Sequence, residues 1–324
     1  MTDQPSPCCA ATRATRTAVA AEPAAAPVAA AALQEPIAHR WSPLIGGAFL
    51  MGASQPGRFP LDGEWPQREV TVSPFTIAGH AVTNVHFAAF VRATGYVTDA
   101  ERFGWSFVFE SLVPPAALAL IDKHSAEAPW WIAVPRAYWA QPEGPHTTVV
   151  DRLHHPVVHV SWNDAQAYCE WSDTRLPTEA EWEFAARGGM KNALYPWGDE
   201  LTPGGVHHCN IWQGIFPARN TADDGYIGTA PVDAYPPNGY GLHNAAGNVW
   251  EWCRDSFSPS YRETTSAIDP LCDDVSDSRS MRGGSFLCHE SYCNRYRVAA
   301  RSSNTADSSS SNIGFRVVRG WAWR

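Results

Sequence analysis

Residues 210–252 read NIWQGIFPARNTADDGYIGTAPVDAYPPNGYGLHNAAGNVWEW. The stretch sustains neither a helical nor a strand period. Gly, Pro, Asn and Asp punctuate it, and these residues set turns through φ preference and local side-chain hydrogen bonds. A run this long with so little regular structure inside a compact protein is functional or pinned by something. With the abundance of Trp, Pro and Gly, it favours a loop-rich, aromatic-packed fold over a helical bundle. A hard cation is one such pin, because calcium takes six to eight oxygens of the carboxylate, amide and main-chain kinds that loops supply. Asn210, Asp224, Asn244 and Glu251 are the side-chain donors here. No EF-hand spacing is present, and ordinary Asx turns are the competing reading.

Upstream, the signals for helices are better. Thr178 and Glu181 form a capping box for TEAEWEFAARGG, ended by Gly188 and Gly189, and Asn163 or Asp164 can cap DAQAYCEWSD. Trp171, Cys169, Trp182 and Phe184 are read as core. Asn84 or Thr83 can cap TNVHFAAFVRATG, with Gly95 at its end. GGAFLMG and REVTVSPFTIAGHAV read as strands, and HPVVHVSW alternates as a short strand should. The aromatics of 97–150, Trp105, Phe107, Phe109, Trp130, Trp131, Tyr138 and Trp139, either pack under loops or line a groove, and packing is the favoured reading. Residues 1–36 are Ala- and Pro-rich with few large apolar side chains, which predicts a disordered tail in which Cys8 and Cys9 have no role. Residues 37–324 are expected to form one domain.

Downstream, Gly283 to Arg297 reads GGSFLCHESYCNRYR. Cys288 and Cys293 stand five apart, so they diverge on a helix and fall on opposite faces of a strand. They meet only across a turn, which the polar residues 289–292 can make. Converging thiols hold a soft metal or bond to each other, and spacing alone leaves both open.

Composition narrows the classes. A net charge of −9 and a pI near 5.7 argue against non-specific nucleic-acid or anionic-membrane binding. No apolar run reaches the ~20 residues a spanning helix needs, and no charged n-region precedes an apolar one. The eight cysteines lack the dense spacing of a secreted disulfide scaffold. A cytoplasmic protein is expected. Among the 24 basic residues only Lys123 and Lys191 are lysine, a skew that reflects base composition more simply than function.

LPTEAEWEFAARGG, the 210–252 stretch and MRGGSFLCHESYCNRYRVAARSSNTADSSSSNIGFR together resemble the formylglycine-generating enzymes, the sulfatase-modifying factor family, over about residues 41–318, most closely their bacterial aerobic members. The resemblance implies an α+β fold, the formylglycine-generating-enzyme variant of the C-type-lectin-like fold, loop-rich with short helices and little regular structure. It implies oxidation by O2 of a sulfatase cysteine within Cys-x-Pro-x-Arg to Cα-formylglycine, with a thiol reductant. Cys288 and Cys293 then hold one Cu(I). Trp250, Ser285 and Tyr292 match catalytic-pocket positions, and Arg295, Asn304 and Asn312 substrate-pocket positions, with a structural ion pair the alternative for Arg295. Structural Ca2+ falls to Asn210, Ile211, Asp224 and Tyr226 at one site and to Asn244, Gly247, Val249 and Glu251 at the other.

Val298 and Val317 stand where secreted relatives are expected to carry cysteine, and Glu290 where some carry Arg. Two rivals remain at this point. One is a non-catalytic lectin-like peptide binder with a redox-active disulfide. The other is a non-haem iron sulfoxide synthase, for which His155 and His159 have part of the spacing but Ser161 stands at the place of the required Glu.

Overall fold

The computed structural model describes residues 11–12, 38–118, 121, 128–274 and 276–320. The expected tail lies outside them, apart from Ala11 and Thr12. Strands β1 (Trp41–Leu44), β2 (Gly47–Met51), β3 (Arg68–Val72) and β4 (Phe75–Ala78) come first. Helices α1 (Asn84–Thr94) and α2 (Asp99–Phe103), strand β5 (Trp105–Phe109), the single turn α3 (Pro115–Leu118) and strand β6 (Trp131–Pro135) follow. Helices α4 (Trp162–Trp171) and α5 (Glu179–Ala186) precede a loop-dominated half with β7 (Gly214–Ile215), β8 (Arg219–Asn220), β9 (Trp250–Ser256), α6 (Tyr261–Thr264), β10 (Ser278–Arg282), β11 (Arg301–Thr305), β12 (Ile313–Gly314) and β13 (Val318–Arg319). No described helix is long and apolar enough to cross a membrane.

The caps explain where the helices start. Thr83 caps α1 in a reciprocal box with His86, and Gly95 ends it at φ 67°. Thr178 and Glu181 make the expected box on α5. On α4 the cap is Ser161, one residue before the helix, and Asp164 reciprocates from the third position. Asp164 therefore completes the box from inside the helix. Trp171, expected in the core, is 42% exposed at the end of this helix.

The central sheet runs β11-β10-β9-β12, antiparallel except for the parallel β12/β9 pair, in which Ile313 lies opposite Trp250. A second sheet runs β1-β4-β13, and β2/β3, β5/β6 and β7/β8 are separate ribbons. Helix α5 packs on the central sheet through a buried ionic lattice. Glu179 pairs with Arg301 at 2.6 Å and Arg282 at 2.9 Å, and Glu183 with Arg282 at 2.7 Å and Arg187 at 2.6 Å. Burial alone would raise the Glu179 carboxyl, but Arg301 and Arg282 overcome it and hold the group at about 2.

Three expectations are corrected. The architecture is an α+β fold built on this mixed sheet, with one parallel pair and detached ribbons, and not the C-type-lectin-like double-loop fold. The segments that carried the resemblance specify caps and buried contacts, which are compatible with more than one strand connectivity. HPVVHVSW forms no strand: Val157, Val158 and Val160 are all buried, His159 turns at φ 59°, and a single bridge joins Pro156 to Thr83. Both sides of the segment are covered, so its alternation carries no meaning. Conversely, the aperiodic region 97–150 contains the regular hairpin β5/β6, whose strand β5 is buried throughout. Burial on both faces removes the period that would have revealed it.

Candidate active site

The turn expected between the cysteines is present. The His289 carbonyl accepts the backbone N–H of Tyr292, Cys293 and Asn294, folding 289–293 so that both thiols point into one core cluster. Each is buried at 0% exposure, and Trp250 and Tyr296 belong to the same cluster. The Ser285 N–H donates to the Cys288 sulfur at 3.4 Å. Four other cysteines are described. Burial pushes the Cys169 thiol up to about 12 and the Cys272 thiol up to about 11, and it raises Cys209 and Cys253 as well. They are inert packing groups.

Strand β12 brings Asn312 and Trp250 to the same place. The Trp250 N–H donates to the Asn312 carbonyl, and the Asn312 amide donates to Ser285 Oγ at 2.9 Å. Leu287 N–H also donates to that hydroxyl oxygen. Both contacts use the oxygen as acceptor, so the Ser285 proton is left to donate to a pocket ligand. Trp250 is fully buried, and its indole N–H has no partner among the described residues. A buried donor without an acceptor costs roughly 1–3 kcal/mol unless a ligand supplies one. Tyr292 stands at the rim, stacked on Phe216 at 4.6 Å and edge-on to Trp130 at 5.1 Å. Phe216, Trp130 and Trp212, none of them singled out from the sequence as pocket residues, thus wall one side. The density of aromatics between prolines was the signal that marked part of this wall.

Arg295 is buried and forked on Asp62 at 2.6 and 2.8 Å, with its guanidinium 4.2 Å over Phe59. Its place is the ion-pair alternative. Burial still raises the Asp62 carboxyl from its ordinary value, against the opposing pull of Arg295. Arg297 grips Glu64 at 2.7 Å and Arg58 donates to the Ser291 carbonyl at 2.9 Å. Segment 58–64 is therefore clamped to the cysteine turn from behind. Asn304 lies on β11, where its carbonyl oxygen accepts from Thr305 N–H and its amide donates to the Ala11 carbonyl at 3.2 Å.

The oxygen-rich loops brace the same turn. Trp212 N–H donates to the Cys288 carbonyl, and Phe286 N–H to that of Asn248. Asn248, missed by sequence reasoning, also accepts from Ala230 N–H and the Asn210 amide while donating to the Ala230 carbonyl. Gly247 sits at φ 71°, where a Cβ would lie 2.2 Å from the Asn210 carbonyl oxygen. Only glycine permits this approach.

Among the described residues no three His, Cys, Asp or Glu side chains converge on a point. Any cation in these loops would therefore be held largely by amide and main-chain oxygens. The first set suits one: among the described residues Asn210 Oδ1 and Gln213 Oε1 are both buried without a partner, and burial raises the Asp224 carboxyl. Asp224 also anchors the loop, accepting from Ile211 and Tyr226 N–H and the Gln213 amide. Gln213 donates to the Ile211 carbonyl as well. In the second set, Asn244 Oδ1 has no partner among the described residues and its amide donates to the Pro231 carbonyl. Glu251 is committed to Arg316 through both oxygens and to the Trp182 indole at 2.7 Å. That commitment leaves the second set short of its carboxylate, while Gly247 and Val249 supply main-chain oxygens only. His155 and His159 share no site, since one contacts Thr229 and the other Ser106.

A mixed-sheet α+β protein that buries a dithiol beneath braced loops and an aromatic rim is built to keep sulfur chemistry away from water. Known proteins agree. The sulfatase-modifying factor enzyme 1-like domain matches residues 32–321. The formylglycine-generating enzyme of Thermomonospora curvata is 61% identical over 84% of this chain and 91% of its own length, and that of Mus musculus 51% over 85% and 74%. The chain belongs to the formylglycine-generating enzyme family. PvdO from Pseudomonas aeruginosa, 23% identical, shares the fold at a TM-score of 0.63 over 87% of this chain and 94% of that one, in keeping with the corrected architecture.

Proposed function

We propose that Cys288 and Cys293 together hold one Cu(I), beside which a cysteine in a sulfatase Cys-x-Pro-x-Arg segment is oxidised. The chain is an oxidoreductase, an O2-dependent oxidase acting on a sulfatase cysteine. The observation that supports the metal is the pair itself: two fully buried soft donors on either side of one turn, both in the same core cluster. When bound, Cu(I) would supply redox chemistry with dioxygen next to the sulfur being oxidised.

The protein's own residues position and exclude. Trp250 and Tyr296 keep the thiols dry, and Ser285, held by Asn312, offers a hydroxyl proton to an oxygen-derived species or the substrate backbone. The Trp250 indole N–H offers a second donor. Ca2+ at the Asn210 loop would lock Trp212 against the Cys288 carbonyl, and a thiol reductant would complete the turnover. A bacterial aerobic enzyme working in the cytoplasm fits this reading.

Incubation of Cu(I)-loaded protein with O2, a thiol and a Cys-x-Pro-x-Arg peptide should yield the aldehyde by mass spectrometry. Cys293→Ser should lose both turnover and Cu(I) retention against a competing chelator. Full activity or undiminished copper binding in that variant overturns the assignment.

A further inference from the structure

Ala11 is 2% exposed, whereas Thr12 beside it is exposed. Ala11 packs in the apolar cluster that contains Trp105, Phe107, Trp131, Trp212, Phe286 and Leu287, and its carbonyl accepts the Asn304 amide. Phe286 and Leu287 directly precede Cys288 in the chain, and Trp212 donates to the Cys288 carbonyl. A remote segment expected to pack against nothing thus sends one small residue into a slot beside the cysteine turn. The sequence around that residue, Cys9-Ala10-Ala11-Thr12-Arg13, has the spacing of Cys-x-Pro-x-Arg with Ala11 at the place of the proline.

Spacing alone is not specific. Cys293 also has an arginine four residues on, Arg297, but there the third position is Arg295, whose side chain is buried on Asp62. Only at Ala11 do the motif and an apolar slot coincide. Alanine and proline are both small and apolar, and proline keeps its C=O, so the hydrogen bond from Asn304 is open to either. Two residues of extended chain reach about 7 Å. That is the scale over which a substrate thiol must lie from a proline seated in this slot.

We propose that the slot walled by Phe286, Leu287 and Trp212 and topped by Asn304 receives the third residue of the substrate motif, and that Ala11 of this chain occupies it as the corresponding residue of an intramolecular substrate mimic. This rests on the Cys-x-Pro-x-Arg reading above. The tether gives the mimic an effective concentration of about a millimolar, enough for a weak intramolecular ligand to compete with an incoming peptide. Asn304 is then a substrate-backbone donor that serves both ligands in turn.

The test uses full-length copper-loaded enzyme and Ala11→Glu, which places a carboxylate where the slot is apolar. The variant should lower KM for a Cys-x-Pro-x-Arg peptide about three- to tenfold at unchanged kcat, as expected when a competitor at millimolar effective concentration is removed. Fluorescence anisotropy should show the same tightening for a labelled peptide. Arg13→Glu should move both readouts in the same direction. A synthetic peptide of residues 4–20, added to Ala11→Glu enzyme, should restore the higher KM by competition. Unchanged KM and anisotropy in both variants, or no competition by the 4–20 peptide at millimolar concentration, overturns the proposal. Failure of every form to convert the Cys-x-Pro-x-Arg peptide would instead overturn the substrate reading, and anisotropy of labelled 4–20 peptide on Ala11→Glu enzyme would still decide the docking.

Discussion

Beneath the central sheet, Glu179, Glu183, Arg282 and Arg301 are fully or almost fully buried and interlock in short ion pairs. Above it, around the cysteine turn, equally buried polar atoms of Asn210, Gln213, Asn244 and Trp250 have no partner among the described residues. In the first region the charges compensate one another within the lattice. The second leaves donors and acceptors unfilled in places that water reaches poorly, and such groups are tolerated when a ligand fills them. One sheet divides the two: β9 carries Glu251 into an ion pair with Arg316 and, one residue earlier, Trp250 into the cluster that holds both cysteines.

The largest expected effect breaks the closed side. Arg282→Met removes the partner that Glu179 and Glu183 share and leaves each with one arginine, Arg301 and Arg187, and removing one partner of a buried ion pair costs about 3–5 kcal/mol. Chemical denaturation should report that loss. The same lattice sets an acid limb: Glu179 is held at about 2 against an ordinary 4.5, so its contribution is present above pH 4.5 and is lost as pH falls toward 2. Glu179→Gln should flatten that limb, and an unchanged acid profile would remove Glu179 from its cause.

A smaller effect separates the two sides at Asn210. If its free oxygen meets Ca2+, saturating calcium at a hundredfold excess over Kd should stabilise the protein by about 2.7 kcal/mol. Asn210→Ala should abolish that calcium-dependent rise in Tm. Equal rises in both proteins would return the loop to ordinary Asx turns. Next comes Trp250→Phe, which deletes the orphaned N–H and keeps most of the ring. Stability should hold or rise, because an unsatisfied donor is removed, while kcat should fall at least about tenfold if that donor serves the reacting species. A drop in stability with full activity would make Trp250 a packing residue only. The smallest effect lies at the edge of the lattice, where Thr178→Ala removes the cap of α5 and should cost about 1 kcal/mol.

Much of the site was legible before any coordinates. A turn between Cys288 and Cys293 followed from the spacing, because no regular element brings side chains five apart to one point. The caps at Thr83 and Thr178 followed from local chemistry, since each box closes within four residues. Strand β5 and the false strand at HPVVHVSW were misread for one reason: full burial erases alternation, and chance can write it. Sequence offers Arg295 both a substrate role and a structural ion pair, and the partner it grips, Asp62, lies far upstream. Asn248 carried no signal of its own, because its role is to join three loops distant in sequence.

By itself the sequence determined what is local or written in residue type: the capping boxes, the turn-forming loops, the soft-donor pair and, through resemblance, the family. The tertiary structure decided what depends on which distant segments meet. It set the parallel entry of β12 beside β9, the lattice that spends Glu251 on Arg316, and the burial of Ala11 against the wall of the cysteine pocket. Pairings of that kind are fixed by the whole molecule's packing and desolvation, and no window along the chain contains both partners.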